Sequence, residues 1–195
     1  MKKPAESVVE LHPILANRWS PRSFDPSFEI SSEDLTGILE AARWSPSASN
    51  SQPWRFLIAR RGEECFDAIS KLLAGFNSAW APSASLYVLV AAQTVNPDGT
   101  ARPYALYDAG IASANATTEA HHRGLAVHQI AGFDKDAIAN EFKFEVGLRP
   151  LTILVIGKQA PADSLSDQIL RDRETATRER LPLNDLVINS DEFVS

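Results

Sequence analysis

The chain has 195 residues with a formal net charge of −6, and 44% of its residues are apolar. This length and composition predict one domain with a core of ordinary size, and the acidic balance argues against nucleic acid or an anionic membrane as a partner. The single cysteine, Cys65, excludes an internal disulfide and suits a cytoplasmic location. The start of the chain is not typical of a signal peptide, and no apolar stretch reaches membrane-spanning length.

The first helices are predicted from their capping residues. Ser7 and Glu10 form a capping-box pattern in front of one helix, and Ser31 or Ser32 caps a second helix that ends near Trp44. Farther along, apolar runs predict strands, and amphipathic or alanine-rich runs predict the helices between them. The strands are 54–59, 86–92, 125–130 and 151–157, and the helices are 63–76, 104–123 and a short one capped by Asp134.

The stretch from Asn17 to Asp25 lacks helical or strand periodicity and carries the most distinctive chemistry. Pro21 favours an extended backbone at Ser20, and alternate residues of an extended segment point to the same side. Arg18, Ser20 and Arg22 would then present two guanidinium groups and a hydroxyl together, which is a receptor for an anion such as phosphate. The alternative is a solvated basic turn.

Two other segments have an open interpretation. The segment from Ser45 to Trp54 is rich in serine, proline and amides, which favours a ligand-binding loop over an ordinary turn. The segment 158–195 is polar with apolar patches, and it is either an arm that packs on a partner subunit or a frayed tail. Its Arg178 and Arg180 look by spacing like a solvated face. No metal site is expected, because the histidines lack partners at ligand spacing.

Four blocks, NRWSPRSFD, SPSASNSQPW, QIAGFD and RERLP, together resemble the nitroreductase family of flavin enzymes. The resemblance covers residues 11 to 182, and the blocks stand in the family's order. It implies an α+β fold with a mixed β-sheet sandwiched between helices, and an intertwined homodimer of one domain, residues 1–195, with 158–195 as an arm on the partner. It also implies an FMN-dependent oxidoreductase, with NADH or NADPH as donor and a nitroaromatic, quinone or similar small molecule as acceptor, in ping-pong kinetics.

The resemblance also implies roles for individual residues. Arg18 and Ser20 hold the FMN phosphate, Arg178 and Arg180 return to it from the arm, and Arg22 tunes the pyrimidine edge of the ring. Trp19 is also counted among the cofactor-binding residues. The remaining expected contacts are Pro46, Ser47, Ala48 and Asn50 from the other subunit, the backbone of Ala131 and Gly132, and Asn77 and Asp108 near the ring. No protein residue is expected to be catalytic itself, since the flavin carries the chemistry.

Three departures from better-known relatives bear on specificity. They are Trp19, Ala131 and a short connection from Gln93 to Pro103. Two alternatives to a reductase stay open: a flavin-binding sensor dimer without turnover, and a member with other flavin chemistry, such as dehalogenation, dehydrogenation or flavin breakdown.

Overall fold

The computed structural model describes residues 2–188, which form an α+β fold. Four strands make one sheet, and helices cover both of its faces. The strands are β1 (Trp54–Arg60), β2 (Leu86–Gln93), β3 (Ala126–Ile130) and β4 (Leu148–Gly157). The helices are α1 (Pro13–Asn17), α2 (Ser32–Arg43), α3 (Glu64–Lys71), α4 (Asn77–Trp80), α5 (Ala105–His122), α6 (Lys135–Glu141) and α7 (Gln168–Thr175).

The sheet has the strand order β1-β2-β4-β3, and its three pairings are all antiparallel. The prediction of a mixed sheet was therefore wrong for the described part of the chain, although the α+β class is confirmed. The continuous apolar runs of β2 and β4 predict strands buried on both faces, a pattern most common in parallel sheets. Here the same burial arises because these two antiparallel strands occupy the centre of the sheet and have helices above and below.

The side chains of β2 alternate between two separate cores. Leu86, Val88 and Val90 point towards α2 and α5, while Tyr87 and Leu89 point towards the other face. Alanines on the inner side of α5 allow that helix to pack closely on the sheet, as its composition predicts. The opposite face is covered by side chains from α3, α4, α6 and α7, with Trp80, Phe66, Ile138 and Leu170 all buried.

Some local predictions hold and others do not. Ser31 caps α2 by accepting the N–H of Asp34, and Asp134 caps α6. The Ser7 capping box was wrong, since the Ser7 hydroxyl donates to the Val9 carbonyl and the first helix begins only at Pro13. The helix predicted at 63–76 ends at Lys71, because the chain then turns, forms a bridge from Leu73 to Phe133 beyond β3, and starts the separate helix α4.

The helix α7 was not predicted, and it changes the account of the C-terminal arm. Asp167 caps it, and Leu170 is buried in the core of its own chain. Phe24 also forms a bridge with Gln159. The segment from Gln159 to Arg178 thus packs on its own chain, and the contact of the 158–195 arm with a partner subunit stays a prediction.

Candidate anion and cofactor site

The stretch from Asn17 to Asp25, here called the receptor stretch, forms one wall of a groove between α1, α5 and β3. The groove has a volume of ≈ 270 Å³ and is lined by Leu15, Arg18, Ser20, Ala114, Thr117, Thr118, Val127 and Gln129. Within residues 2–188, the side chains of Arg18, Ser20 and Arg22 make no hydrogen bond to protein, and neither arginine forms an ion pair. Their donors are therefore available to a bound molecule.

More cations converge on Arg18 than the sequence pattern indicates. Burial, together with repulsion from Arg178 and Arg180, lowers the pKa of Arg18. The pKa of Lys3 is also lowered, chiefly by burial. The charge of Glu174 opposes this shift, and the charges of Arg22 and Arg178 add to it. Like charges held together favour the binding of an anion among them, although Glu174 partly offsets the charges of Lys3 and Arg22.

Hydrogen bonds from the arm hold this cluster together. Arg178 donates through Nη1 to the carbonyls of Lys3 and Ala16, at 2.7 and 2.6 Å. The Lys3 ammonium stands 4.3 Å from the centre of the Trp19 ring, a cation–π contact. Arg180 is exposed and donates to the carbonyl of Glu179. The structure thus brings Arg178 and Arg180, the two predicted arginines of the arm, to the receptor stretch. It also places the Trp19 ring against the Lys3 cation.

The backbone of the receptor stretch is fixed from beneath by two side chains. His128, on β3, is 2.9 Å through Nδ1 from the Pro21 carbonyl, and Glu174 accepts the N–H of Arg22 at 2.8 Å. Because a carbonyl oxygen can only accept, Nδ1 of His128 carries the hydrogen. Burial lowers the pKa of His128 to about 4, with Arg22 adding to the shift and the bond to Pro21 opposing it.

The predicted ring contacts around Gly132 also lie together. Asn77 donates through Nδ2 to the Gly132 carbonyl at 3.1 Å, and Ala131 and Gly132 are both exposed. A Cβ on Gly132 would lie 2.7 Å from that amide nitrogen, so a side chain does not fit without moving Asn77. Arg173 packs over Phe76 at the start of α4. The pKa of Arg22 is lowered chiefly by burial; the charge of Glu174 opposes this shift, and the charge of Arg173 adds to it. These contacts connect α4 to the receptor stretch.

The residues predicted to come from the other subunit line a different groove. That groove has a volume of ≈ 350 Å³ and is formed by Pro46, Ser47, Ala48, Tyr104, Tyr107, Asp108 and Ile111. Asp108 is only 3% exposed and accepts the N–H of Ala48 at 3.2 Å, so it supports the loop. Asn50, at φ 53°, is one of three non-glycine residues here in the left-handed region, with Ser49 and Gln52. Such strain is common in ligand-binding loops.

The two grooves open along the same helix, since α5 lines both of them. Between them its surface is exposed and largely apolar, with Tyr107 70% exposed and Gly110 facing open space. Another groove, of ≈ 820 Å³, lies at the Gln93–Pro103 connection, and none of the predicted site residues lines it. No group of metal-ligating side chains occurs among the described residues, and no described helix has the length and apolar character needed to span a bilayer.

Sequence reasoning missed three residues of the site: Lys3, His128 and Glu174. Each contacts the receptor stretch from elsewhere in the chain: Lys3 at the Trp19 ring, His128 at the Pro21 carbonyl and Glu174 at the Arg22 N–H. In the sequence His128 is an isolated histidine without a partner at metal-ligand spacing, and Glu174 lies in a polar segment with few apolar residues. No local sequence signal identifies either residue as buried.

Comparison with known proteins places the chain among relatives. The family model described as "Nitroreductase family" matches residues 15–158. The chain belongs to the nitroreductase family. Among curated nitroreductase relatives, YdgI of Bacillus subtilis (strain 168), provisionally named an NAD(P)H nitroreductase, is 29% identical over 186 residues, which is 75% of this chain and 87% of YdgI.

Two solved nitroreductase-like structures match nearly the whole chain. One, described as an oxidoreductase containing FMN, has a TM-score of 0.88 and 32% identity, and the match covers 96% of this chain and 95% of that one. The other is a protein of Exiguobacterium sibiricum 255-15, assigned to the nitroreductases and solved in complex with FMN. It has a TM-score of 0.75 and 25% identity, and the match covers 97% of this chain and 100% of that one.

Proposed function

We propose that this nitroreductase-family protein binds FMN and is an NAD(P)H-dependent oxidoreductase. The observation that carries the proposal is the set of uncommitted donors on Arg18, Ser20 and Arg22, surrounded by further cations. A flavin phosphate bears nearly two negative charges and three acceptor oxygens, which is the chemistry that these donors match. Solved relatives that contain FMN support the same assignment.

In this proposal different residues bind different parts of the cofactor. Arg18, Ser20 and Arg178 hold the phosphate, with Lys3 and Arg180 adding positive potential, and Trp19 orients Lys3. Arg22 lies at the pyrimidine edge, where a fixed positive charge favours the reduced form. Asn77 and the backbone of Ala131 and Gly132 stand at the polar edge of the ring. When bound, FMN supplies two-electron transfer between a nicotinamide and an acceptor.

We further propose that two chains complete each site. Pro46, Ser47 and Ala48 line a groove apart from the one that Arg18 lines in the same chain, and Asn50 follows in the same loop, so we propose that all four reach the flavin from a second copy. The exposed apolar face of α5 runs between the two grooves and provides a surface for that contact. The segment beyond Arg178 would pack on the partner, within a single domain of residues 1–195.

Substrates would use one open side of the site in turn. Donor and acceptor then compete for the same place, and the kinetics are ping-pong, with parallel double-reciprocal lines. Nitroaromatics and quinones are the proposed acceptors, because a shared, permissive site accepts planar, electron-poor molecules.

The test is an anaerobic titration of FMN-loaded protein with NADH and with NADPH, followed by steady-state kinetics with a nitroaromatic and a quinone. Loss of the flavin absorbance near its visible maximum, and parallel lines, are expected. If neither nucleotide bleaches a flavin that is firmly bound, the protein is a flavin binder without this turnover. Intersecting lines with a ternary complex would contradict the shared site.

A further inference from the structure

Glu174 is a buried carboxylate that forms no ion pair with any described residue, although the charges of Lys3 and Arg22 are close enough to attract it. It is 1% exposed, and among residues 2–188 no arginine, lysine or histidine nitrogen lies within ion-pair distance of it. Burying a charged group in this way is costly unless its hydrogen bonds are satisfied. An apolar side chain would fill the same place in the core at lower cost, so packing alone does not account for a glutamate at this position.

The partners of this carboxylate are two consecutive backbone amides. Arg22 N–H donates to Oε2 at 2.8 Å, and Ser23 N–H donates to Oε1 at 3.3 Å. A carboxylate that accepts two adjacent N–H groups defines both the position and the orientation of that peptide segment, because hydrogen bonds to a charged group are strong and directional. The side chain of Arg22 leaves the backbone at this point.

The same helix connects this contact to the arm. Glu174 lies in the last turn of α7, and Arg178 follows in the extended segment just beyond that helix. The Glu174 carbonyl accepts a hydrogen bond from Lys3, whose own carbonyl accepts one from Arg178. The receptor stretch, the N-terminal segment and the arm therefore meet at this one residue.

We infer that Glu174 is a positioning residue for the flavin site. Through the backbone of Arg22, Glu174 fixes the direction of the Arg22 guanidinium and makes that direction depend on the docking of α7. This inference rests on the proposed binding of FMN. It predicts that Arg22 loses its effect on the flavin when the carboxylate is removed, even though its side chain is intact. It also predicts a direction of change that opposes simple electrostatics, since loss of a negative charge near a flavin would by itself raise the midpoint potential.

The test is a double-mutant cycle between Glu174→Ala and Arg22→Ala, with the midpoint potential and the Kd for FMN as readouts. Glu174→Ala should weaken FMN binding roughly tenfold to a hundredfold and lower the midpoint potential, as Arg22→Ala does. In the Arg22→Ala background it should change neither quantity further. Additive effects would show a merely structural role, and a raised potential would show that Glu174 acts only through its charge; either result overturns the inference.

Two further variants keep the test decisive. Glu174→Gln retains one acceptor oxygen and should fall between wild type and Glu174→Ala, so it can replace the alanine variant in the cycle if that variant does not fold. Asp172→Asn removes the same charge from an exposed position of α7 and should leave both readouts unchanged. Agreement between Asp172→Asn and Glu174→Gln would contradict positioning through the backbone.

Amide hydrogen exchange provides a readout that does not need the flavin. The N–H groups of Arg22 and Ser23 should be protected in the wild type without FMN and should exchange faster in Glu174→Ala. Unchanged exchange would overturn the inference. A wild-type protein that binds no FMN, but shows this loss of protection in the variant, would instead refute the proposed function and leave the backbone contact established.

Discussion

Protonation of His128 should destabilise the protein in mildly acidic solution. Its ring is buried beneath the receptor stretch, with its centre 4.6 Å from that of the Trp80 ring at a tilt of 33°, and it donates to the Pro21 carbonyl in its neutral form. The pKa falls from 6.5 to about 4 because burial disfavours the charged ring. Above pH 6.5 the ring is neutral in both states and its contribution to folding is fully present. As the pH falls below that value, the unfolded chain takes up the proton first.

The size of this effect follows from the pKa difference. Between pH 6.5 and about 4 the free energy of unfolding should fall by about 1.4 kcal/mol per pH unit, which amounts to about 3 kcal/mol in total. The assay is urea unfolding of FMN-free protein at constant ionic strength across this range, for wild type and His128→Asn. The variant keeps a side-chain N–H donor but does not titrate.

The comparison between the two proteins isolates the histidine, because the carboxylates titrate in both. His128→Asn is less stable at neutral pH, since it loses the ring that packs on Trp80, but its stability should fall less steeply with acid. Equal slopes in the two proteins would refute the burial of a neutral His128 under the receptor stretch.

Four other substitutions separate binding from folding. Arg18→Ala should mainly weaken FMN retention, whereas Arg22→Ala should also lower the flavin's midpoint potential; a redox-dye titration showing equal potentials for wild type and Arg22→Ala would contradict its place at the ring. Gly132→Ala should push the Asn77 amide aside and raise the Kd for FMN in a fluorescence titration, because the new Cβ would lie 2.7 Å from Nδ2. Ser31→Ala should cost about 1 kcal/mol in urea unfolding, through loss of the α2 cap, with no change in FMN affinity.

Local sequence signals were sufficient for the elements that bury a continuous apolar face. The strands β2 and β4 and the helix α5 fall close to their predicted bounds, and the Ser31 and Asp134 caps are confirmed. In each case the residues that decide the structure are neighbours in the chain. The mixed sheet was implied by the family resemblance, and within residues 2–188 it was wrong. Burial of a strand on both faces reports its central place in the sheet and not the direction of its neighbours, so the antiparallel pairing was not visible in these apolar runs.

The site was predictable only in part, for a related reason. The donors of Arg18, Ser20 and Arg22 could be seen in one short stretch, but the groups that hold this stretch are Glu174 and His128, far along the chain. The helix α7 was missed because it buries little besides Leu170 and Glu174, which leaves no amphipathic pattern. Contacts between distant polar residues have no signature in a single sequence.

Binding of FMN to the stripped protein tests the central claim most directly. Flavin-free protein is titrated with FMN, and the quenching of flavin fluorescence gives the stoichiometry and the Kd for wild type and Arg18→Ala. The account predicts one FMN per chain and a Kd that rises roughly tenfold or more in Arg18→Ala, through the loss of a charge-assisted phosphate contact. A wild-type protein that takes up no FMN, or an Arg18→Ala variant that binds it equally well, would contradict the account.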